Sequence, residues 1–122
     1  MAESTIKIPS TKDMSTYTLT LPSSSGKITT GTIKFYKIGR LVVVECKFEA
    51  AGEFSWLVYN NVIPNEYKPL VDIIGVSLGQ LGEKTSSVIE FNKTGNIRID
   101  YGEISSAGNS WYNGVGVYIS AS

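Results

Sequence analysis

A chain of 122 residues with 42% apolar residues is long enough for one domain with its own core, and too apolar to remain disordered. Its 11 basic and 11 acidic residues cancel, which argues against nucleic-acid binding because that binding depends on neutralising phosphates. No run of about 18 apolar residues exists, so membrane insertion is not expected, and the N-terminal segment lacks the basic and apolar regions of a secretory signal.

The chain is predicted to begin with an arm and a half-buried strand. Residues 1–14 are polar and have no periodicity, which predicts a flexible N-terminal arm ahead of a single domain spanning residues 15–122. In the strand that follows, apolar residues alternate with threonines. The apolar positions are Tyr17, Leu19 and Leu21.

Residues 31–48 predict a hairpin with a turn near Ile38–Gly39. Its second strand contains a continuous apolar run at residues 41–44, which leaves Leu41 and Val43 on the face opposite the core. A second apolar face needs a cover, either another sheet or a neighbouring subunit, and the sequence does not choose between them. The core-facing residues are expected to be Val42, Val44, Cys46 and Phe48.

The rest of the chain predicts further short strands. Pro64 and Pro69 bracket a rigid connection, and Gly95 is placed for a positive φ in the hairpin turn 92–95. The predicted strands are Phe54–Tyr59, Val71–Leu78, Val88–Phe91, Asn96–Tyr101 and a closing strand around Val115–Ile119. About eight short strands separated by turns predict an all-β fold, either an antiparallel β-barrel or a jelly-roll sandwich.

The residue types missing from the chain exclude most catalytic chemistry. There is no histidine and only one cysteine, Cys46, so the usual general base, zinc ligand sets and intrachain disulfides are all excluded. Asp100 and Glu103 resemble the two carboxylates of a glycosidase, but two acids so close to a strand end are usually solvated. We therefore expect no enzyme activity, no catalytic residues, no metal site and no cofactor.

Aromatic and amide or charged residues cluster near predicted loops. Flat aromatic rings pack on the C–H faces of sugars, while amides and carboxylates form hydrogen bonds with hydroxyl groups. Structural interpretations remain open: Trp111 as a plug at the end of a barrel, Trp56 in the core, and Arg98 with Asp100 as a surface ion pair. The candidate ligand-binding residues are Trp111, Tyr112, Asn109, Asn113, Asp100, Arg98, Trp56 and Tyr59.

Three segments carry a family resemblance. They are the Gly-Thr-Ile-Lys-Phe stretch from Gly31 with the Ile-Gly-Arg-Leu-Val-Val-Val-Glu stretch from Ile38, the Ile-Pro-Asn-Glu-Tyr-Lys-Pro element ending at Pro69, and the Thr-Gly-Asn-Ile-Arg-Ile hairpin from Thr94. With Trp111 and the closing strand, they resemble the head domains of phage tail-fibre and baseplate receptor-binding proteins. The resemblance is strongest to those of phages that infect Gram-positive hosts such as lactococci.

The resemblance implies a homotrimeric β-barrel or jelly-roll head at the tail tip or baseplate of a virion. Such a head binds host cell-wall saccharides and contacts other tail or baseplate proteins. Some relatives use a histidine near the saccharide, which this chain lacks, so the ligand residues above are chosen by type and position. Alternative interpretations are a structural trimerisation or capping module of a tail, without a ligand, and an extracellular lectin-like domain.

Overall fold

A computed structural model describes residues 13–51, 56–80, 86–101 and 110–122, with the side chains of Tyr101 and Ser110 excepted. These residues form eight β-strands and a 3₁₀ turn at Asn65–Tyr67. The strands are β1 (Met14–Leu21), β2 (Ile28–Ile38), β3 (Leu41–Ala50), β4 (Trp56–Tyr59), β5 (Ile73–Gly79), β6 (Ser86–Asn92), β7 (Ile97–Tyr101) and β8 (Ser110–Ile119). The expected all-β fold of about eight short strands is confirmed.

The eight strands belong to one antiparallel sheet in the order β1-β2-β3-β8-β5-β6-β7-β4. The two predicted hairpins, β2–β3 and β6–β7, are present, and their turn glycines Gly39 and Gly95 have φ values of 59° and 101°. Met14 belongs to β1 and not to the predicted arm. Residues 1–12 lie outside the described part of the chain.

The sheet curls where β8 meets β5. Among the described residues, these strands pair only at Gly79 and Asn113. Further along β8, the side chains of Leu78 and Val76 on β5 approach Gly114 and Gly116 from the interior of the fold. The half-sheet β5-β6-β7-β4 therefore packs over the half-sheet β1-β2-β3-β8, as in a half-barrel. The rings of Phe35 and Phe91 make an edge contact across the interior, with centroids 5.9 Å apart.

The core consists of alternate residues from both half-sheets, as period-two alternation requires. Core positions on β3 are those expected from the sequence, and Leu41 and Val43 point to the opposite side. On β8 the inward residues are Tyr112, Gly114, Gly116 and Tyr118. The largest fully buried side chains are Tyr112, Phe35, Phe48, Phe91, Leu21, Ile28, Ile33, Leu78, Ile89, Ile97, Ile99 and Val42.

Among the described residues, no helix is long and apolar enough to cross a membrane. Cys46 is a buried thiol on the inner face of β3, and burial raises its pKa to about 12. It acts there as a small apolar side chain.

The curl depends on the missing side chain of Gly114, because a Cβ at this position would overlap the Ser77 carbonyl oxygen. We expect Gly114→Ala to destabilise the fold by about 1–3 kcal/mol, the usual range for overpacking. A Cβ on Gly79 meets no atom within 4 Å, so Gly79→Ala is the matched control, expected to change stability by less than about 0.5 kcal/mol. Urea unfolding of both variants measures the difference, and equal effects would contradict this account of the curl.

Candidate functional site

Three of the predicted binding residues lie together on the outer face of β6, β7 and β4. The strand register places Trp56 opposite Asp100, and Glu90 opposite Arg98. These side chains alternate with core residues such as Ile89 and Ile99, so they point away from the interior. We call Trp56, Glu90, Arg98 and Asp100, together with Lys27, the Trp56 patch.

The indole ring of Trp56 is held between two cations on the outside of the fold. Its side chain is 53% exposed, which corrects the interpretation of Trp56 as a core residue. The Arg98 guanidinium lies 5.3 Å from the ring centroid, and the Lys27 ammonium lies 5.9 Å from it. Lys27 also donates a hydrogen bond of 3.3 Å to the Trp56 carbonyl oxygen. These contacts favour one orientation of the ring while leaving about half of it open to solvent.

The carboxylates of the patch share a hydrogen-bonded network. Arg98 Nε donates to Asp100 Oδ1 at 2.6 Å, which is a charge-assisted hydrogen bond. A hydrogen bond to Asp100 raises the pKa of Glu90, and the same bond, together with Arg98, lowers the pKa of Asp100. Glu90 thus keeps its proton to a higher pH than an ordinary glutamate, and while it is protonated it shares that proton with the Asp100 carboxylate through their hydrogen bond.

This arrangement suits a polar ligand with an apolar face. The exposed indole offers a flat surface, and beside it the guanidinium donates hydrogen bonds while the carboxylate accepts them. Sequence reasoning found Trp56, Arg98 and Asp100 but missed Glu90 and Lys27. Ile89 and Phe91 flank Glu90 in the sequence, which is a signal that Glu90 points outward, but only the pairing of β6 with β7 brings it beside Arg98.

Trp111 and Asn113 lie elsewhere, on the outer face of β8. Trp111 is 38% exposed and has the Lys47 ammonium 4.7 Å from its ring centroid. Asn113 lines a polar cleft of about 390 Å³ together with Thr32, Glu45 and Lys47. In the sheet order, β5, β6 and β7 separate this strand from β4, and the two indoles contact different cations: Lys47 lies at Trp111, whereas Lys27 and Arg98 lie at Trp56.

Tyr112 and Tyr59 make structural contacts and do not offer open ligand surfaces. Tyr112 is fully buried and stacks on Phe48 with centroids 5.2 Å apart, so the expectation that its ring faces a ligand is corrected. Its place on β8 follows from alternation, which puts it inward and Trp111 outward. Tyr59 is half buried and donates a hydrogen bond of 2.8 Å to the Pro22 carbonyl oxygen. Asn109 and Glu103 lie outside the described residues.

No family model matches the sequence, and a search of curated proteins finds no significant similarity. Within the described residues, no group of three or more acidic or cysteine side chains is placed to hold a metal ion.

The shared proton between Glu90 and Asp100 predicts a pH dependence of stability. Because the folded-state pKa of Glu90 is raised, the folded protein loses stability as the pH rises through the interval above the ordinary glutamate pKa. We expect Glu90→Gln to remove this loss of stability, because its amide does not titrate and still donates a hydrogen bond to Asp100. Urea unfolding midpoints measured from mildly acidic to neutral pH test the expectation. Glu66→Gln, outside the patch, is the control, and an unchanged pH profile for Glu90→Gln would contradict the shared proton.

The burial of Tyr112 predicts a structural phenotype rather than a binding phenotype. Tyr112→Ala removes a stacked core ring and is expected to destabilise the fold by about 3–5 kcal/mol, the range for buried aromatic truncations. Trp111→Ala, one residue away but facing outward, is expected to lower stability far less. Thermal unfolding of the two variants provides the comparison, and a mild Tyr112→Ala variant would argue against the inward orientation.

Proposed function

We propose that this chain is a receptor-binding head of a phage tail, which binds host cell-surface saccharides non-covalently at the Trp56 patch. The observation that carries the proposal is the half-exposed Trp56 ring beside the Arg98–Asp100 pair. The motif resemblance of residues 31–45, 63–69 and 94–99 to phage receptor-binding heads supplies the biological setting. In that setting the protein acts at the tail tip or baseplate of a virion.

The chemistry of the patch fits a sugar ring better than other ligands. Lys27 and Arg98 flank the indole, so a cationic ligand would be repelled from the ring that could otherwise bind it. The Asp100 carboxylate, paired with Arg98 beside the ring, would in turn repel an anionic group placed at that pair. A neutral pyranose can stack one C–H face on Trp56 and direct a pair of hydroxyl groups at Asp100 and Arg98.

The proposal requires binding without catalysis and requires several copies. One shallow patch on a strand edge gives modest affinity, which a homotrimer with many tips per particle multiplies by avidity. Other tail or baseplate proteins are the remaining partners, and neither nucleic acid nor membrane insertion enters the proposal. The host is a Gram-positive bacterium of the kind that lactococcal phages infect.

A second candidate function is a structural trimerisation or capping module of the same tail, without a ligand. The observation that favours it is the set of aliphatic side chains exposed on β8, since Val115 and Val117 are 65% and 57% exposed. Such a surface serves assembly whether or not the Trp56 patch binds a sugar. Assembly without any saccharide binding would support this alternative.

We expect Trp56→Ala to weaken binding to Gram-positive cell-wall polysaccharide about tenfold or more, as loss of roughly 1.4 kcal/mol of stacking would produce. The side chain lies outside the core, so the fold should be kept. Calorimetry with soluble wall fragments measures intrinsic affinity, and adsorption to intact walls measures avidity.

Trp111→Ala is the matched control, because it removes an exposed indole from a different strand and should leave saccharide affinity unchanged. Asp100→Asn should also weaken binding, since it removes the charge that orients Arg98. The proposal fails when the unaltered protein binds no wall fraction, or when Trp56→Ala binds as tightly as the parent.

A further inference from the structure

An apolar depression lies on the outer face of the half-sheet β1-β2-β3-β8. Strand register aligns the outward side chains of β2, β3 and β8 in rows, and the two rows nearest the β2–β3 turn are wholly apolar. Residues of these rows line a depression of about 300 Å³, which is at the lower end of the volume range of small-molecule sites. Its apolar lining consists of Met14, Tyr36, Ile38, Leu41, Val43 and Val115.

In the described part of the chain, a single charged side chain, that of Glu45, lines this depression. Glu45 follows Val43 on the outer side of β3, and it also lines the polar cleft of about 390 Å³ that contains Lys47 and Asn113. Val115 lines both cavities as well. The two cavities therefore adjoin at Glu45, so a molecule in the apolar depression would have a carboxylate at one end and a polar cleft beyond it.

The Glu45 carboxylate pairs with neither of its neighbouring lysines. Lys34 stands opposite Glu45 on β2, but its ammonium group lies 5.2 Å from the ring centroid of Tyr36. The Lys47 ammonium lies 4.7 Å from the ring centroid of Trp111. Neither of the two ion pairs formed by the described residues includes Glu45. The carboxylate is therefore open to a cationic group from a ligand.

The lining favours one class of small ligand over the others. A wholly apolar molecule would fill the depression but would displace water from the Glu45 carboxylate without replacing its hydrogen bonds, which costs free energy. A carboxylate or phosphate group would be repelled by Glu45. An ammonium group would form a charge-assisted hydrogen bond with that carboxylate, and an apolar body attached to it would remove the aliphatic lining from water.

We infer that the depression binds a small amphipathic amine, with its apolar body against Tyr36 and Val43 and its ammonium group paired with Glu45. Two apolar rows provide enough surface for a molecule of that size. The site is separate from the Trp56 ring, which lies on the other half-sheet. The inference goes beyond the proposed saccharide binding and stands without it.

The test uses three probes that share one phenylethyl body and differ in the terminal group: 2-phenylethylamine, 2-phenylethanol and 3-phenylpropionate. Titrations followed by saturation-transfer NMR give the dissociation constant of each probe at neutral pH. We expect the amine to bind about two- to fivefold more tightly than the alcohol, which is the range for a solvent-exposed charge pair. The carboxylate probe should bind most weakly of the three.

Two variants locate the site. Glu45→Gln should bind the amine and the alcohol equally, because it removes the charge and keeps the size of the side chain. Glu49→Gln is the matched control, since Glu49 lies on the same strand and face but does not line the depression, and it should keep the preference for the amine. Val43→Thr keeps the β-branched shape and adds a hydroxyl group, so it should weaken amine and alcohol by a similar factor. Circular dichroism checks that every variant is folded.

The inference is overturned when the parent protein binds none of the probes, or when amine and alcohol bind it equally. It is also overturned when Glu45→Gln keeps the amine preference, or when Val43→Thr leaves both affinities unchanged, since the probes then bind elsewhere. These measurements contain no saccharide, so they separate the inference from the proposed function. A protein that shows the expected order of probes but binds no cell-wall saccharide would retain the amine site and lose the proposed function.

Discussion

The close packing of β5 against the glycines of β8 is the constraint on which this fold depends. Gly114 and Gly116 face inward, where a Cβ would collide with Ser77, Leu78 or Val76. Because those positions are empty, β5 can turn over β8 and bring its own half-sheet onto the core. A flat eight-stranded sheet would leave both of its faces in water, whereas the curl buries one face of each half against the other.

The same constraint decides which face of β8 is exposed. Alternation alone allows either face to point inward, and apolarity favours the face with Val115, Val117 and Ile119. The observed strand does the reverse, because an inward valine row would fill the space that β5 occupies. Tyr112 and Tyr118, on either side of the glycine pair, supply the buried bulk instead. The aliphatic row is left outside as a consequence of the packing inside.

Local patterns predicted the hairpins and the facing of β3, because each depends on residues a few positions apart. Gly39 and Gly95 identified their turns through a conformation that other residues rarely adopt. The position of β8 between β3 and β5 could not be predicted, since it joins residues far apart in sequence. For that reason the sequence could offer Trp111 and Trp56 only as candidates by residue type, whereas the structure places them on strands that are not neighbours in the sheet.

The exposed aliphatic residues of β8 and the Trp56 ring lie on different half-sheets of one core, which bears on the proposed attachment function. Of the Trp56 patch, only Lys27, next to β2, adjoins the half-sheet that contains β8. The exposed aliphatic residues of β8 can therefore be buried against another protein surface without covering Trp56. A ligand can likewise bind at Trp56 without disturbing that contact. The proposed function requires sites that stay accessible in an assembled state, because avidity depends on several of them binding at once, and a Trp56 patch away from β8 meets that requirement.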